Sequence, residues 1–197
     1  METLTDKILS ETIRVRPKES HKGTYGRVCL VGGNDHFGGA ILMATEASVY
    51  SGAGLNTTLT DSSNSVSLHA RMPEAMVADY THHQELVELV AAANTVVIGP
   101  GLGTTATSMT VLRTVFDTVK PDQTLIIDGS AITLVSERHL SLPKANLVFT
   151  PHQMEWQRLS GIKIADQTDD ANEAVRQQLG GIVVLKSHQT KVYTPTG

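Results

Sequence analysis

The sequence contains a single cysteine, Cys29, so no disulfide can form within the 197-residue chain. Cys29 lies inside the apolar run RVCLVG, which favours a buried core thiol. A lone buried cysteine is typical of proteins in a reducing compartment. We therefore expect a cytoplasmic protein.

Positive charge and aromatic residues are also scarce. Lys and Arg number 16 against 20 Asp and Glu, giving a net charge of −4, and aromatic residues make up 4% of the chain. Proteins that bind nucleic acid usually carry a basic surface, and those that bind single strands add aromatic stacking platforms. We expect no nucleic-acid partner.

Long hydrophobic runs are missing as well. No apolar stretch approaches the length that a bilayer requires. The first 20 residues, METLTDKILSETIRVRPKES, carry acidic side chains and lack the apolar region of a signal peptide. The sequence therefore predicts neither a membrane protein nor an exported one.

Several familiar active-site motifs are absent. The loop GGNDHFGGA contains no GxGxxG fingerprint and no Lys-Ser/Thr after Gly38-Gly39, so the usual support for NAD-dependent hydride transfer or P-loop hydrolysis is lacking. The chain also lacks G-x-S-x-G, which disfavours an α/β-hydrolase. The adjacent His82 and His83 have no Cys or carboxylate cluster at ligand spacing, so we interpret them as exposed side chains.

Short apolar strands alternate with helical patterns from Arg27 onward. This alternation predicts an α/β fold, a three-layer α/β/α sandwich with a mostly parallel central sheet. Lys191–Thr194 is expected to add an antiparallel strand. We interpret Leu4–Ile13 as a short amphipathic helix and Asp61–Tyr80 as a less regular region.

The helix that begins at Gly38 and runs to about Ala53 is apolar or small on nearly every side. We expect it to be buried on more than one side and to contact another subunit. The protein is therefore predicted to form a homo-oligomer.

The stretch Thr95–Thr105, TVVIGPGLGTT, predicts a buried strand that turns through three glycines into a helix. Backbone N–H groups at such a helix start favour an anion such as phosphate, although a ligand-free connection fits the pattern equally well. Polar and glycine residues follow the other strands too, and the carboxyl ends of parallel strands share one edge of the sheet. We expect a binding site there, formed by Gly32-Gly33, Gly99–Gly103, Asp128, Thr150–His152 and Lys186.

Four side chains at this edge are candidates for chemistry, and each has a structural alternative. Asp128 either binds a metal-held water or hydroxyl, or caps the next helix. His152 and Glu155 either reach one ligand from the same helix face, or form an ordinary helix start. Lys186 and the turn SHQT either bind a phosphate, or form a solvated hairpin.

The motifs resemble, in order and spacing, those of the ADP/ATP-dependent NAD(P)H-hydrate dehydratases, which share the ribokinase-like fold. The resemblance runs from about His21 to the end of the chain. It depends on the segments HKGTYGRVCLVGG, FGGA, YSGAGL, VVIGPGLG, LIIDGSA, FTPHQMEW and VVLKSHQT.

The resemblance implies a single dehydratase domain over residues 1–197 that repairs hydrated NADH or NADPH. ADP or ATP would supply a phosphate that activates the C6 hydroxyl, with Mg²⁺ held mainly by phosphates and waters. Ala40, Gly103 and His152 match positions that contact the hydrated nucleotide. The adenine nucleotide is assigned to Lys186, Ser187, His188, Gln189 and Thr190. Asp128 and Glu155 are expected to lie near a phosphate and metal water network, without a direct metal ligand, and the family tends to form tetramers.

Three residues depart from the family pattern: Met154 and Ser187 stand where glycine is usual, and Ser130 replaces a common acidic residue. The family's G-T-G-D segment, which supplies the anion-hole glycines and the catalytic aspartate, is expected beyond Gly197. We therefore assign no catalytic base. Two alternatives stay open, a ribokinase-like small-molecule kinase of the hydroxyethylthiazole type and a non-catalytic nucleotide-binding protein.

Overall fold

The computed structural model describes residues 3–13 and 15–195. In these residues the chain forms eight strands, which are β1 (Arg27–Val31), β2 (Leu55–Thr60), β3 (Met76–Asp79), β4 (Thr95–Ile98), β5 (Thr124–Ile127), β6 (Asn146–Phe149), β7 (Ile182–Leu185) and β8 (Lys191–Tyr193). They form one sheet in the order β3-β2-β1-β4-β5-β6-β7-β8. Strands β1 to β7 pair in parallel, and β8 pairs antiparallel to β7, as predicted.

Helices connect the parallel strands, as right-handed crossovers require. Helix α1 (Lys7–Thr12) precedes β1, and the connecting helices are α2 (Gly38–Tyr50), α3 (Ser65–Arg71), α4 (His83–Ala92), α5 (Ala106–Thr118), α6 (Gly129–Arg138), α7 (Gln153–Ser160) and α8 (Asp169–Leu179). The strand order reverses next to β1, so the crossovers on the two sides of that point place their helices on opposite faces of the sheet. The predicted three-layer α/β/α sandwich is confirmed.

The main core lies along the central strands, on the face of the sheet to which their alternate apolar side chains point. Val31, Val96, Ile98, Ile127 and Phe149 are each 0% exposed. The intervening positions of β4 to β7 keep part of their surface exposed, so only one face of these strands is fully buried. Cys29 is buried in the same core at 1% exposure, as predicted.

The prediction of an irregular region at Asp61–Tyr80 is wrong, because this region contains α3 and β3. Strand β3 is a four-residue edge strand whose Met76 is 47% exposed, so it lacks the apolar run of a central strand. Helix α3 covers the sheet through a small second cluster of Leu68, Met72 and Ala75. One buried position, Leu68, in the seven residues of α3 gives no period that could be read from the sequence.

Two helices are less buried in this chain than the sequence predicts. Helix α1 is shorter than Leu4–Ile13 and has no buried residue. Helix α2 ends at Tyr50, and only Ile41 and Thr45 in it are buried, so burial on more than one side is wrong for the single chain. Its outer face exposes Met43 at 64% and Tyr50 at 75%.

Candidate functional site

The carboxyl ends of five adjacent strands bring the predicted residues to one edge of the sheet. Strands β1, β4, β5, β6 and β7 are consecutive neighbours, so the segments that follow them lie side by side. Those segments contain Gly32-Gly33, Gly99–Gly103, Asp128, Thr150–His152 and Lys186. The predicted convergence is confirmed, at the edge where open α/β sheets bind ligands.

At the point where the strand order reverses, the loops that follow β1 and β4 are joined by backbone hydrogen bonds. The N–H of Gly33 donates to the Pro100 carbonyl at 2.8 Å, and the N–H of Asn34 donates to the Gly101 carbonyl at 2.8 Å. The Asn34 side-chain oxygen accepts the N–H groups of His36 and Phe37 at 3.0 and 2.8 Å. The two loops therefore form one continuous backbone wall at this edge of the sheet.

The glycines of this wall are required by close packing. Gly101 has φ +65°, and a Cβ there would lie 2.2 Å from the Phe37 carbonyl oxygen and 3.2 Å from the Ala40 Cβ. Gly103 has φ +79°, and a Cβ there would lie 2.5 Å from the Asn34 amide nitrogen. Positive φ together with such contacts excludes larger residues. The structure thus places Ala40 next to the loop that carries Gly103.

The backbone donors of this loop are partly engaged within the protein. The Gly103 N–H donates to the Ser130 hydroxyl at 3.0 Å. Helix α5 starts with a capping box in which Thr105 and Ser108 satisfy each other's backbone N–H groups. The loop therefore has few N–H groups left to bind a phosphate. This favours a role as a surface that a ligand packs against.

Asp128 connects the ends of three strands. Its Oδ1 accepts hydrogen bonds from the Thr150 hydroxyl at 2.6 Å and from the Lys186 ammonium at 2.8 Å. Within the described residues its carboxylate makes no capping hydrogen bond to α6, so the capping alternative is wrong. The carboxylate instead holds the Lys186 ammonium beside the ends of β5 and β6.

The segment Lys186–Thr190 forms the turn between β7 and β8, and every residue in it is exposed. The Lys186 N–H donates to the Pro151 carbonyl at 2.8 Å, which places the start of the turn beside His152. The Ser187 hydroxyl donates to the Gln189 carbonyl at 2.7 Å and closes the turn. An exposed ammonium above a tight polar turn is suited to bind a phosphate group.

His152 and Glu155 form a capping box at the start of α7. The Glu155 Oε2 accepts the His152 N–H at 2.8 Å, while the His152 Nδ1 accepts the N–H of Met154 at 3.1 Å. Glu155 is only 7% exposed, so its carboxylate is committed to the helix start. The His152 side chain is 54% exposed, and its Nε2 lies 3.5 Å from Glu155 Oε1.

The chain matches known proteins over nearly its whole length. A family model described as NAD(P)H-hydrate dehydratase matches residues 28–197. A curated relative from Lactiplantibacillus plantarum, named ADP-dependent (S)-NAD(P)H-hydrate dehydratase, is 54% identical over 194 residues, which cover 98% of this chain and 70% of the relative. This chain belongs to the NAD(P)H-hydrate dehydratase family.

Solved structures place the chain in the same family of folds. A ribokinase-like superfamily protein from Enterococcus faecalis matches with a TM-score of 0.95 and 49% identity, over 98% of this chain and 68% of that protein. An ADP/ATP-dependent NAD(P)H-hydrate dehydratase from Bacillus subtilis, co-crystallised with ATP/Mg²⁺, matches with a TM-score of 0.83 and 27% identity, over 98% and 69%. The predicted ribokinase-like fold is confirmed.

Sequence reasoning missed three residues at this edge of the dehydratase fold, namely Asn34, Thr150 as a partner of Asp128, and Ser130 as an acceptor for Gly103. Asn-Asp in a glycine-rich loop is a turn signal that could have pointed to Asn34. The other two act through residues distant in sequence, with 22 positions separating Thr150 from Asp128 and 27 separating Ser130 from Gly103.

The described residues give little support to a metal held by the protein itself. Among them no group of three or more His, Cys, Asp or Glu side chains is arranged to hold a metal ion. His82 and His83 are exposed at the start of α4, as predicted. No helix in the same residues is long and apolar enough to cross a membrane.

Proposed function

We propose that this protein is an ADP-dependent (S)-NAD(P)H-hydrate dehydratase, a hydro-lyase that restores hydrated NADH or NADPH. The observation that carries the proposal is the family match over residues 28–197 together with 54% identity to a relative of that name. The predicted site residues also lie along one edge of the sheet, where this fold class binds ligands.

The two ligands are assigned to two walls of one crevice. Hydrated NADH or NADPH lies against Ala40 and Gly103 and reaches His152, whose exposed imidazole can donate or accept a hydrogen bond. The adenine nucleotide lies on the turn Lys186–Thr190, where the ammonium meets its phosphates. His152 and Lys186 are paired across a β-bridge, which brings the two ligands together.

The proposed chemistry replaces hydroxide, a poor leaving group, by phosphate, a good one. The C6 hydroxyl oxygen loses its proton to solvent and forms a bond to the terminal phosphorus of ADP, while the bond between that phosphorus and the bridging oxygen breaks and releases AMP. The C6–O bond then breaks, phosphate leaves with that oxygen, and loss of the neighbouring proton restores the double bond. Lys186 stabilises the charge on the moving phosphate. No residue of this chain is assigned as the base.

Mg²⁺ is proposed to enter with the nucleotide. Asp128 and Glu155 are the carboxylates near the phosphate position, but Asp128 already pairs with Lys186 and Glu155 caps α7. This donor set fits an ion held mainly by phosphates and waters. When bound, the ion would neutralise phosphate charge. We assign ADP rather than ATP as the phosphate donor, because the relatives are named ADP-dependent.

The decisive assay incubates the protein with hydrated NADH, ADP and Mg²⁺ and follows NADH absorbance at 340 nm. Recovery of NADH that requires ADP supports the proposal. Phosphate transfer to a stable product without NADH would favour the small-molecule kinase. An ADP-dependent rise in melting temperature without any turnover would favour a non-catalytic nucleotide-binding protein.

The same assay tests the proposed domain, residues 1–197, and the position of the base. A second protein carries, after Gly197, the part of the Lactiplantibacillus relative that this chain does not match. If the longer protein alone recovers NADH, the base lies in the added part, as the family's G-T-G-D segment implies. Equal turnover by both would place a base within residues 1–197.

The protein is further proposed to be a cytoplasmic homotetramer. We assign self-association to the outer face of α2, because it exposes the apolar side chains of Met43 and Tyr50 at 64% and 75%. Sedimentation velocity should give a tetramer that Met43→Lys dissociates. A monomer for the unsubstituted protein would contradict the proposal.

A further inference from the structure

A chain of buried hydrogen bonds connects α7, α8 and β8 outside the proposed crevice. The Trp156 indole N–H donates to the Asn172 side-chain oxygen at 2.7 Å. The Asn172 amide donates to the Tyr193 hydroxyl at 3.0 Å, and that hydroxyl donates to Asp169 Oδ1 at 2.8 Å. We call these four residues the Tyr193 relay.

Most of the relay is removed from water. Trp156, Asn172 and Tyr193 are 0%, 1% and 6% exposed. Every donor in it points the same way, toward the Asp169 carboxylate. Buried polar groups of this kind specify one arrangement, because any other leaves a donor or acceptor unsatisfied.

The relay ends at the solvent in an ion pair. The Lys191 ammonium lies 2.7 Å from Asp169 Oδ1, with side chains 37% and 49% exposed. Hydrogen bonds from Lys191 and Tyr193 lower the pKa of Asp169, while burial raises the pKa of Tyr193 to about 12. Tyr193 is thus a protonated donor and Asp169 an ionised acceptor at neutral pH. Exposed ion pairs contribute little, so the buried hydrogen bonds are the stronger anchor.

The relay fixes one end of the turn Lys186–Thr190. At its start the turn is held by the Lys186 N–H on Pro151 and by the Lys186 ammonium on Asp128. At its far end Lys191 follows directly, and β8 continues to Tyr193. Strand β8 is only three residues long and lies at the sheet edge, so its pairing with β7 alone is a weak constraint.

We propose that Tyr193, through Asn172 and Asp169, is a positioning residue for the nucleotide-binding turn Lys186–Thr190. The inference rests on the proposed function, since it takes this turn to hold the adenine nucleotide. Because the relay reaches β8 and contacts neither Ala40 nor Gly103 within the described residues, it acts on the nucleotide wall.

The test uses isothermal titration of ADP and, separately, of hydrated NADH. Tyr193→Phe keeps the buried ring and removes the hydroxyl, so the ADP Kd should rise by about three- to tenfold, while the hydrated NADH Kd stays within about twofold. Tyr80→Phe is the matched control, because that ring is also buried, at 5% exposure, and it follows β3 on the opposite side of the sheet from β7. It should leave both Kd values unchanged.

A second variant separates positioning from loss of folding. Asp169→Asn keeps the size of the side chain but weakens both contacts of the carboxylate, and it should also weaken ADP binding selectively. Since both substitutions break the same relay, their combined effect on the ADP Kd should be less than the product of the two.

Three results would overturn the inference. The first is an unchanged ADP Kd in Tyr193→Phe and Asp169→Asn alongside a lowered melting temperature. The second is an equal loss of affinity for both ligands. The third is a double variant whose ADP Kd rises by the full product of the two single effects. Failure of the unsubstituted protein to bind ADP would instead overturn the proposed function, and it is recognised before any variant is made.

Discussion

The two walls of the proposed crevice are built in opposite ways. The wall that contains Gly99–Gly103 is buried or half-buried backbone, joined to the loop after β1 by hydrogen bonds of 2.8 Å. The turn Lys186–Thr190 consists of exposed side chains around one ammonium. The first wall selects a ligand by its shape, so substitutions that strain the backbone should weaken binding there. The second wall attracts a ligand by its charge, so substitutions that remove the ammonium should weaken binding there.

The strongest test of this contrast is Gly103→Val. At φ +79° a branched side chain is strained, and its Cβ would lie 2.5 Å from the Asn34 amide nitrogen. We expect the free energy of unfolding to fall by about 2–4 kcal/mol and hydrated NADH to lose at least about tenfold in affinity, more than ADP loses. Denaturant unfolding and titration of each ligand measure the two effects.

Gly39→Ala serves as the control for that substitution. Gly39 lies in the first turn of α2, and a Cβ there would meet nothing within 4 Å. The change should be neutral or stabilise the protein by up to about 1 kcal/mol. Equal losses of both ligands in Gly103→Val would remove Gly103 from the substrate wall.

The next largest effect is expected for Lys186→Met on the charged wall. The substitution removes the ammonium and leaves the Asp128 carboxylate unpaired beside the phosphates. A charge-assisted hydrogen bond is worth about 1.5–3 kcal/mol, so the ADP Kd should rise roughly 10- to 100-fold and depend less on salt. Lys144→Met, at an exposed lysine, is the matched control. An unchanged ADP Kd would move the nucleotide elsewhere.

The contrast also explains which parts of the molecule could be predicted from sequence. The central strands were predictable because their short runs of apolar and β-branched residues, such as Thr124–Ile127, favour a strand, although only alternate positions are fully buried. The glycine turn after β4 was predictable because alternate glycines supply the positive φ angles that Gly99–Gly103 adopts, whereas its contact with a ligand stays a prediction. Strand β3 was missed because a short edge strand, half-exposed at Met76, needs no apolar pattern.

For the charged wall, the sequence predicted which residues take part but not which of them contact each other. Lys186 and Asp128 are 58 positions apart, and nothing in either local sequence specifies the partner of the other. For Glu155 the sequence left two roles open, a ligand-facing acid and an ordinary helix start, and its carboxylate accepts the His152 N–H at the start of α7. A capping box and a catalytic pair share the same three-residue spacing, so only burial distinguishes them.

Substitution of Glu155 should have a smaller effect on stability, and it distinguishes helix capping from a role beside the ligand. Glu155→Ala removes the cap and should cost about 1 kcal/mol, which lowers the melting temperature of a chain of this size by about 2–4 °C. Glu155→Gln keeps an acceptor for the His152 N–H and should restore stability together with turnover. If Gln matches the stability of Glu but loses activity as Ala does, the carboxylate itself serves the phosphate and metal network.

The smallest effect is expected at Cys29, which lies in β1 beneath the backbone wall and reports whether that wall opens. Burial raises the pKa of the Cys29 thiol from 9.0 to about 12, so the folded protein holds it neutral. The unfolded chain ionises first, and the stability that the buried thiol contributes is therefore lost as the pH rises above about 9 toward 12. At pH 8, iodoacetamide should modify Cys29 only at the rate of global unfolding, with or without ADP. Faster labelling under native conditions would show that the backbone wall opens locally, and selection of a ligand by the fixed shape of that wall would be contradicted.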